Sequence, residues 1–227
     1  MPLNAGAAIV IWSNTRTPEA WADWHSHEHF PERLALPGFL QARRMLACDP
    51  GASAPWFILY EVEDPSAMTS PAYFQSLNNP TDWSREMMPN NLYLNRTLCS
   101  VVAGAASGVA AFALPLVFDV PDEKQDTLKK WVEQDVLPRL SRHPMMTGSR
   151  LMLNVDRRDR PETQEEKLRG HRNASVDGVL LLEGFDEASL RTTAKELCDQ
   201  WVALGGEALP APQLYRLAHT MSKADMS

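Results

Sequence analysis

The sequence predicts an α+β fold made of two tandem units, each with the element order β-α-β-β-α-β. Strand-like and helix-like segments alternate in the same order twice along the 227 residues. The two halves also match each other at a constant spacing of 107 residues. This spacing relates one set of residues to another: Trp24, Pro31, Pro37 and Arg43 to Trp131, Pro138, Pro144 and Arg150.

The first unit opens with a strand and a helix. Residues 7–12 form a short apolar run that is typical of a buried strand. Thr17-Pro18-Glu19 predicts a helix start, because threonine caps helices, proline suits the first turn and glutamate suits the positive end of the helix dipole. We expect the helix to end near His29, because Pro31 lacks the amide hydrogen that a helix needs.

Three further strands and an interrupted helical region complete the first unit. Pro37-Gly38 predicts the turn into the second strand. The strands are expected at residues 39–46, 56–62 and 96–103, with broken helical pieces between residues 65 and 88.

The second unit repeats this order after a linker of small residues at 104–108, so we place the units at 1–106 and 107–227. From the third strand onward the spacing rises to 122 residues, with 57–61 matching 179–183. The difference is an insertion of 15 residues within about 156–177. Because this stretch is charged and has few apolar residues, we expect a solvated or disordered loop.

The order β-α-β-β-α-β is that of the ferredoxin-like motif, whose sheet has one face covered by helices and one face bare. A bare apolar face must be buried against a partner. Two units in one chain can cover each other, sheet to sheet, so we expect a barrel-like pseudo-dimer within one polypeptide. Two independent ferredoxin-like domains are the alternative.

Composition excludes several classes of function. A formal charge of −7 argues against binding a nucleic-acid backbone. The sequence has no apolar run near the roughly 20 residues that span a bilayer, and its start does not resemble a signal peptide. The three cysteines, Cys48, Cys99 and Cys198, are far apart in sequence and odd in number, which argues against a disulfide framework. We therefore expect a cytoplasmic protein.

Three of the six histidines lie in the segment 25–29. On a helix, His25 and His29 take positions that Val132 and Val136 fill in the second half. Burying an imidazole without a hydrogen bond costs about 1–3 kcal/mol, which a fold can bear where a pocket needs polar groups. We therefore predict a site in which His29 or His25 moves a proton and Glu28 orients the imidazole. The alternative is a pair of core histidines that neighbouring carboxylates or carbonyls satisfy.

Other residues complete the predicted pocket. Tyr60 stands where the second half has Leu182, and its phenol could bind an oxyanion. Four aromatic residues are candidate substrate-binding walls: Trp24, Tyr73, Phe74 and Trp83. Arg43 and Arg150 recur in both halves, which favours a structural role such as an ion pair at a strand edge.

The segment His25-x-x-Glu28-His29 has the letters of an inverted zincin motif. Such a site needs a third ligand from a later helix, and no later histidine or glutamate is marked by a comparable motif. We predict no metal and no cofactor, and keep a His/Glu metal-dependent enzyme as an alternative.

The run His29, Pro31, Leu34, Pro37, Gly38 resembles the H-x-P…L…P-G run of the EthD-like branch of the dimeric α/β-barrel proteins. The resemblance implies ferredoxin-like units paired through their sheets, with His29 at the position of the family's histidine. Members of this superfamily include cofactor-free isomerases, cyclases, decarboxylases and monooxygenases for small aromatic, lactone or polyketide substrates, and some haem-binding proteins.

The leading functional hypothesis is a cofactor-independent enzyme of isomerase, lyase (decarboxylase) or cyclase type. A histidine general base would act on a small aromatic or lactone-like substrate. The alternatives are a non-catalytic protein that binds haem or another hydrophobic ligand, and a structural protein. The expected partner is a small-molecule ligand, and a homodimer is left open.

Overall fold

A computed structural model describes residues 5–155, 162–171 and 173–226. The described chain is an α+β protein in which eight antiparallel strands form a closed barrel. The strands are Ala7–Thr15 (β1), Phe39–Ala47 (β2), Trp56–Val62 (β3), Asn91–Ala106 (β4), Phe112–Phe118 (β5), Met146–Asn154 (β6), Gly178–Gly184 (β7) and Tyr215–Ser222 (β8).

The helices lie between these strands in the chain. They are Pro18–Trp24 (α1), Phe30–Leu34 (α2), Pro71–Asn78 (α3), Asp82–Met87 (α4), Asp122–Trp131 (α5), Leu137–Leu140 (α6), Gln164–Arg169 (α7) and Glu187–Ala203 (α8). A π-helical turn, His25–His29, joins α1 to α2, and a second, Val132–Val136, joins α5 to α6. Short 3₁₀ turns occur at Pro65–Thr69, Met88–Asn90 and Lys223–Met226.

The barrel is shared by both halves of the chain. Its strand order is β1-β3-β2-β8-β5-β7-β6-β4. Strand β8 of the second half pairs with β2 of the first, and β4 of the first half pairs with β6 of the second. The alternative of two independent domains is therefore wrong.

The element bounds reproduce the spacings read from the sequence. Strands β2 and β6 are 107 residues apart, as are the two π-helical turns, and β3 and β7 are 122 residues apart. The predicted strand at 56–62 agrees with β3, whereas β4 is longer than expected and begins at Asn91.

Each strand contributes side chains to two separate cores, one outside and one inside the barrel, because successive side chains in a strand point to opposite faces. On the outer face, Ile9, Ile58 and Tyr60 pack against the helices of the first half. On the inner face, Val10 and Leu59 pack with residues of the second half inside the barrel.

Arg43 and Arg150 belong to a buried network inside the barrel. Arg43 Nε lies 3.2 Å from Glu61 Oε2, and its Nη1 donates to Glu183. Arg150 donates to Glu61 and, at 2.8 Å, to Glu183. Burial raises the pKa of Glu183, but the charges of Arg43 and Arg150 outweigh it and lower that pKa. The expected ion pairing is present, but in the barrel interior rather than at a strand edge, and it ties the two halves together.

The first helix continues through Pro31, so the predicted end near His29 is wrong. The π-helical turn explains the continuation: Phe30 N–H bonds to His25 O, five residues back. This wider turn shifts the backbone where proline would collide with the carbonyl of an α-helix. Helix α1 begins at Pro18 as expected, but the Thr17 side chain makes no capping hydrogen bond.

The described part of the insertion does not form the solvated loop that its composition suggests. Residues 163–169 contain a capping box, in which Thr163 and Glu166 bond reciprocally, followed by α7. Glu165 and Glu166 are buried, and the backbone at Ala174 bonds to β4. Residues 156–161 and 172 lie outside the described residues.

Within the described residues, no helix combines the length and apolar character required to cross a bilayer.

Candidate functional site

The predicted histidines lie between the outer face of the barrel and the helices of the first half, where α7 packs over them. A small cavity of about 30 Å³ opens beside His29. Its lining combines apolar side chains with an unusual number of ionisable ones: Ile9, Ile11, His29, Arg33, Tyr60, Tyr73, Leu77, Arg96, Thr163, Glu165, Glu166 and Arg169.

His29 is 4% exposed and lies against Trp24, with ring centroids 4.5 Å apart. Its Nδ1 is buried without a hydrogen-bond partner and lies 3.7 Å from Glu32 Oε2. This distance is too long for a direct hydrogen bond, so the carboxylate acts on the imidazole through its charge. Burial, and then the charge of Arg33, lower the pKa of His29. The imidazole is therefore neutral at pH 7, which is the form that accepts a proton.

Glu32 is the carboxylate that faces the imidazole. Burial raises its pKa, but the facing His29, Arg33 and a 2.8 Å hydrogen bond from Ser76 Oγ outweigh burial and hold that pKa at about 2. Because His29 is itself held neutral, Arg33 and Ser76 are the partners that keep Glu32 ionised at pH 7.

His25 is buried behind the cavity, and both of its ring nitrogens are engaged. Arg44 Nη1 lies 3.4 Å from Nδ1, and Tyr60 Oη lies 3.3 Å from Nε2. Since a guanidinium can only donate, Nδ1 must accept, and the ring proton sits on Nε2 and is donated to Tyr60. Burial, His29 and Arg44 lower the pKa of His25 well below its usual value. His25 therefore positions Tyr60 and does not line the cavity.

Glu28 does not orient either imidazole, contrary to expectation. Its Oε1 accepts hydrogen bonds from Trp24 Nε1 at 3.1 Å, Thr81 Oγ1 at 2.6 Å and Ser84 Oγ at 3.1 Å. These bonds fasten the first helix to the start of α4. The orienting position is taken by Glu32, one helical turn further on.

The predicted aromatic residues separate into two groups. Tyr60 and Tyr73 line the cavity. Trp24 packs behind His29, while Phe74 and Trp83 are half-buried against the core of the first half and do not line this cavity. Their predicted contact with a substrate has no support from the geometry.

Several charged residues of the site were not predicted. Arg33 donates to Glu165 and, at 2.5 Å, to Ser76 Oγ. Arg169 Nη1 lies 3.8 Å from Glu165 Oε2, and Arg96 donates to Tyr73 Oη. A signal for Arg33 was available, because the same spacing of 107 residues places it on the buried Leu140. Glu165 belongs to the insertion and had no such signal.

One group of side chains could in principle hold a metal ion. One atom from each of His29, Glu32 and Glu165 lies within 4.8 Å of the others. However, Glu165 already pairs with Arg33 and lies 3.8 Å from Arg169, and Glu32 lies 4.0 Å from Arg33. A divalent cation would add uncompensated positive charge in a buried place, which is costly. The ligand set therefore fits a cation poorly.

A larger cavity of about 440 Å³ lies in the second half. Among the described residues, its lining contains no ionisable side chain and no group suited to move a proton: Gly104, Ser107, Leu137, Pro138, Leu140, Ser141, Met146, Thr147, Gly148 and Ser149.

Comparison with known proteins identifies the fold. No known family and no curated protein matches the sequence. An anthrone oxidase-like protein of known structure superposes with a TM-score of 0.62 at 9% identity, covering 97% of this chain and 94% of its own. A monooxygenase-like protein from Listeria innocua gives 0.51 at 7% identity, covering 95% of both chains.

A haem-binding protein from Thermus thermophilus gives a TM-score of 0.52 at 7% identity, covering 96% of this chain and 93% of its own. At these identities the likeness shows the fold alone. This chain shares the α+β barrel architecture of these proteins over nearly its whole described length.

Proposed function

We propose that this protein is an enzyme that removes a proton from a small aromatic or lactone-like substrate, with His29 as the base. One observation carries the proposal: a neutral, buried imidazole lies between an ionised carboxylate, Glu32, and the cavity. In the described part of the chain, no other histidine lines that cavity.

The geometry supports a simple sequence of steps. A substrate proton passes to His29, and the charge of Glu32 stabilises the imidazolium that forms. Catalytic hydrogen bonds are often long before a substrate binds, so the 3.7 Å separation can close when the imidazole gains a proton. Tyr60, polarised by the hydrogen bond from His25, stabilises the developing oxyanion.

We propose proton abstraction from the substrate as the first chemical step. The isomerase, lyase and cyclase types expected from the sequence can all begin with it, and so can the monooxygenase-like chemistry named for the Listeria neighbour. The cofactor-free isomerase or lyase type remains our working proposal. The names of the structural neighbours favour an enzyme without selecting that type.

We also propose that residues 1–106 and 107–227 are tandem ferredoxin-like units forming an intramolecular dimeric α/β barrel of EthD-like kind. Matching element bounds and the cross-pairing of β2 with β8 and β4 with β6 support this. We also propose a reducing, cytoplasmic location, because no disulfide joins any of the three cysteines, Cys48, Cys99 and Cys198.

Haem binding, the function named for the Thermus neighbour, does not fit this site. The cavity of about 30 Å³ beside His29 is far smaller than a porphyrin, and buried ion pairs of Arg33 and Arg169 with Glu165 fill the space around it. We derive no chemistry through haem.

Exchange of carbon-bound hydrogen for deuterium tests the proposal. The purified protein would be incubated in D₂O with a panel of small lactones and hydroxyaromatic acids, and loss of C–H signals followed by NMR. His29→Gln should slow exchange at least about 100-fold.

The matched control is His27→Gln on the same helix, because the His27 side chain is 71% exposed. It should exchange at the wild-type rate. Equal exchange by wild type and His29→Gln, or no exchange of any compound by the wild type, would contradict the proposal.

A further inference from the structure

The lining of the cavity brings several arginines and carboxylates together, and the carboxylates have different roles. Three guanidinium groups, from Arg33, Arg96 and Arg169, face two carboxylates, from Glu165 and Glu166. Glu166 is committed to the helix cap, where it accepts from Thr163 N at 2.9 Å and from Thr163 Oγ1 at 3.1 Å. Glu165 pairs with Arg33, and its Oε2 lies 3.8 Å from Arg169 Nη1.

Neither Arg33 nor Glu165 has a charged counterpart in the other half of the chain. Arg33 is 3% exposed and stands where the second half has Leu140. Glu165 comes from the insertion, which the first half lacks. Besides Glu165, Arg33 has Ser76 and, at 4.0 Å, Glu32 as polar neighbours. A buried guanidinium needs an anion, and here Glu165 supplies it.

We propose that Arg33 is the binding site for a carboxylate group of the substrate, and that the Glu165 carboxylate holds this site until the substrate displaces it. The inference rests on the proposed function and deepens it, because it names the substrate class: small aromatic or lactone-like carboxylic acids.

Geometry and size favour this interpretation. The planar fork of a guanidinium matches a carboxylate through two parallel hydrogen bonds. Ligating atoms of Glu165, Glu32 and His29 lie within 4.8 Å of one another, so a carboxylate in place of Glu165 brings its neighbouring carbon atoms to the base. A cavity of about 30 Å³ has room for about one water molecule, so a substrate must take the space of the Glu165 side chain.

Displacement has a measurable consequence. An internal group that occupies a binding site lowers the apparent affinity of a ligand by the fraction of time that the site is open. Removing the charge of Glu165 should therefore strengthen the binding of a carboxylate, because the internal anion that competes for Arg33 is gone.

Calorimetric binding of benzoate, with uncharged benzamide as its matched probe, tests the inference. Glu165→Gln should bind benzoate about tenfold more tightly than wild type, whereas benzamide should change less than about twofold. The control Glu162→Gln removes an exposed carboxylate just before α7 and should change neither affinity. Adding Arg33→Met to Glu165→Gln should remove the gain.

Glu165→Ala gives a second route to the same result if the glutamine variant does not fold. The inference is overturned if benzoate gains nothing in either variant, if benzamide gains as much, or if the gain survives Arg33→Met. Neither probe carries an acidic carbon-bound hydrogen, so this assay does not depend on proton transfer. Failed benzoate binding with intact His29-dependent exchange would overturn this inference alone.

Discussion

The two halves of the molecule carry the same elements but fill the space between helix and sheet differently. In the first half this space contains polar side chains: His25, His29, Arg33, Arg44 and Tyr60. The equivalent positions of the second half are all aliphatic and buried: Val132, Val136, Leu140, Leu151 and Leu182. The second half shows that the fold does not require these polar groups. Their presence in the first half supports the proposed function.

The π-helical turns, by contrast, are shared by both halves. Both halves have one, with histidines in the first and valines in the second, and in each a proline is the second residue after the turn. The turn thus belongs to the fold and is not by itself a mark of function. Only the side chains that it presents differ.

The polar network inside the barrel is common to both halves, and breaking it should have the largest effect on stability. Arg150→Leu leaves Glu61 and Glu183 buried with one arginine between them. We expect a loss of about 3–5 kcal/mol in the free energy of unfolding, measured with urea. The exposed Arg142→Leu is the control, and a comparable loss in both variants would contradict this role.

Arg33→Leu gives the first half the leucine that the second half has at the equivalent position. The free energy of unfolding should fall by about 3 kcal/mol, because the Glu165 carboxylate stays buried without its main partner. The double variant Arg33→Leu/Glu165→Leu should recover most of that loss. A double-mutant cycle in urea measures the coupling. Simple additivity of the two single changes would show that the pair is not coupled.

Exchanging histidine and valine between the equivalent positions of the two halves should change stability by unequal amounts. Val136→His places an unpaired imidazole in an aliphatic core and should cost about 1–3 kcal/mol. His29→Val should change stability by less than about 1 kcal/mol while abolishing proton exchange, because a functional site is seldom optimal for stability. Equal losses in thermal unfolding experiments would remove the distinction between the halves.

Much of the pH dependence of stability below pH 7 should come from His25 and His29 in the first half, and His219 on β8 adds to it because burial lowers its pKa too. Because the pKa values of His25 and His29 are lowered by folding, the unfolded chain binds more protons below about pH 6.5. Stability should therefore fall as the pH drops from 7 toward 5, by at most about 1.4 kcal/mol per pH unit for each histidine. The double variant His25→Val/His29→Val should flatten this slope, and an unchanged slope would contradict the assignment.

Much of the fold followed from the sequence, because the repeated spacing of prolines and tryptophans fixes the order and register of elements in both halves. Strand β3 and the start of α1 lie where expected. The helix through Pro31 did not follow, because a lone proline predicts a break unless a wider turn accommodates it. Helix α7 was missed because its buried charges are satisfied by residues distant in sequence, such as Arg33.

The geometry of the proposed site was predicted in part. Comparison of the halves predicted that His25, His29 and Tyr60 face inward, since polar residues replacing aliphatic ones can be read from the chain, and all three are buried. Their roles in a reaction stay predictions. The expected contact of Glu28 with an imidazole is absent, and the sequence could not separate Glu28 from Glu32 because both lie near the histidines. Only the course of the helix shows that Glu28 reaches Thr81, whereas Glu32 faces His29.

The protonation of the imidazoles tests the central claim most directly. Long-range ¹H–¹⁵N NMR from pH 4.5 to 8, assigned with His25→Val and His29→Val, would give the state of each ring. We predict that both rings have a pKa below 6.5, that of His25 well below it, and that neutral His25 carries its proton on Nε2. If either ring titrates at the ordinary value of 6.5 or above, then it is not a buried neutral imidazole, and the base proposed here does not exist.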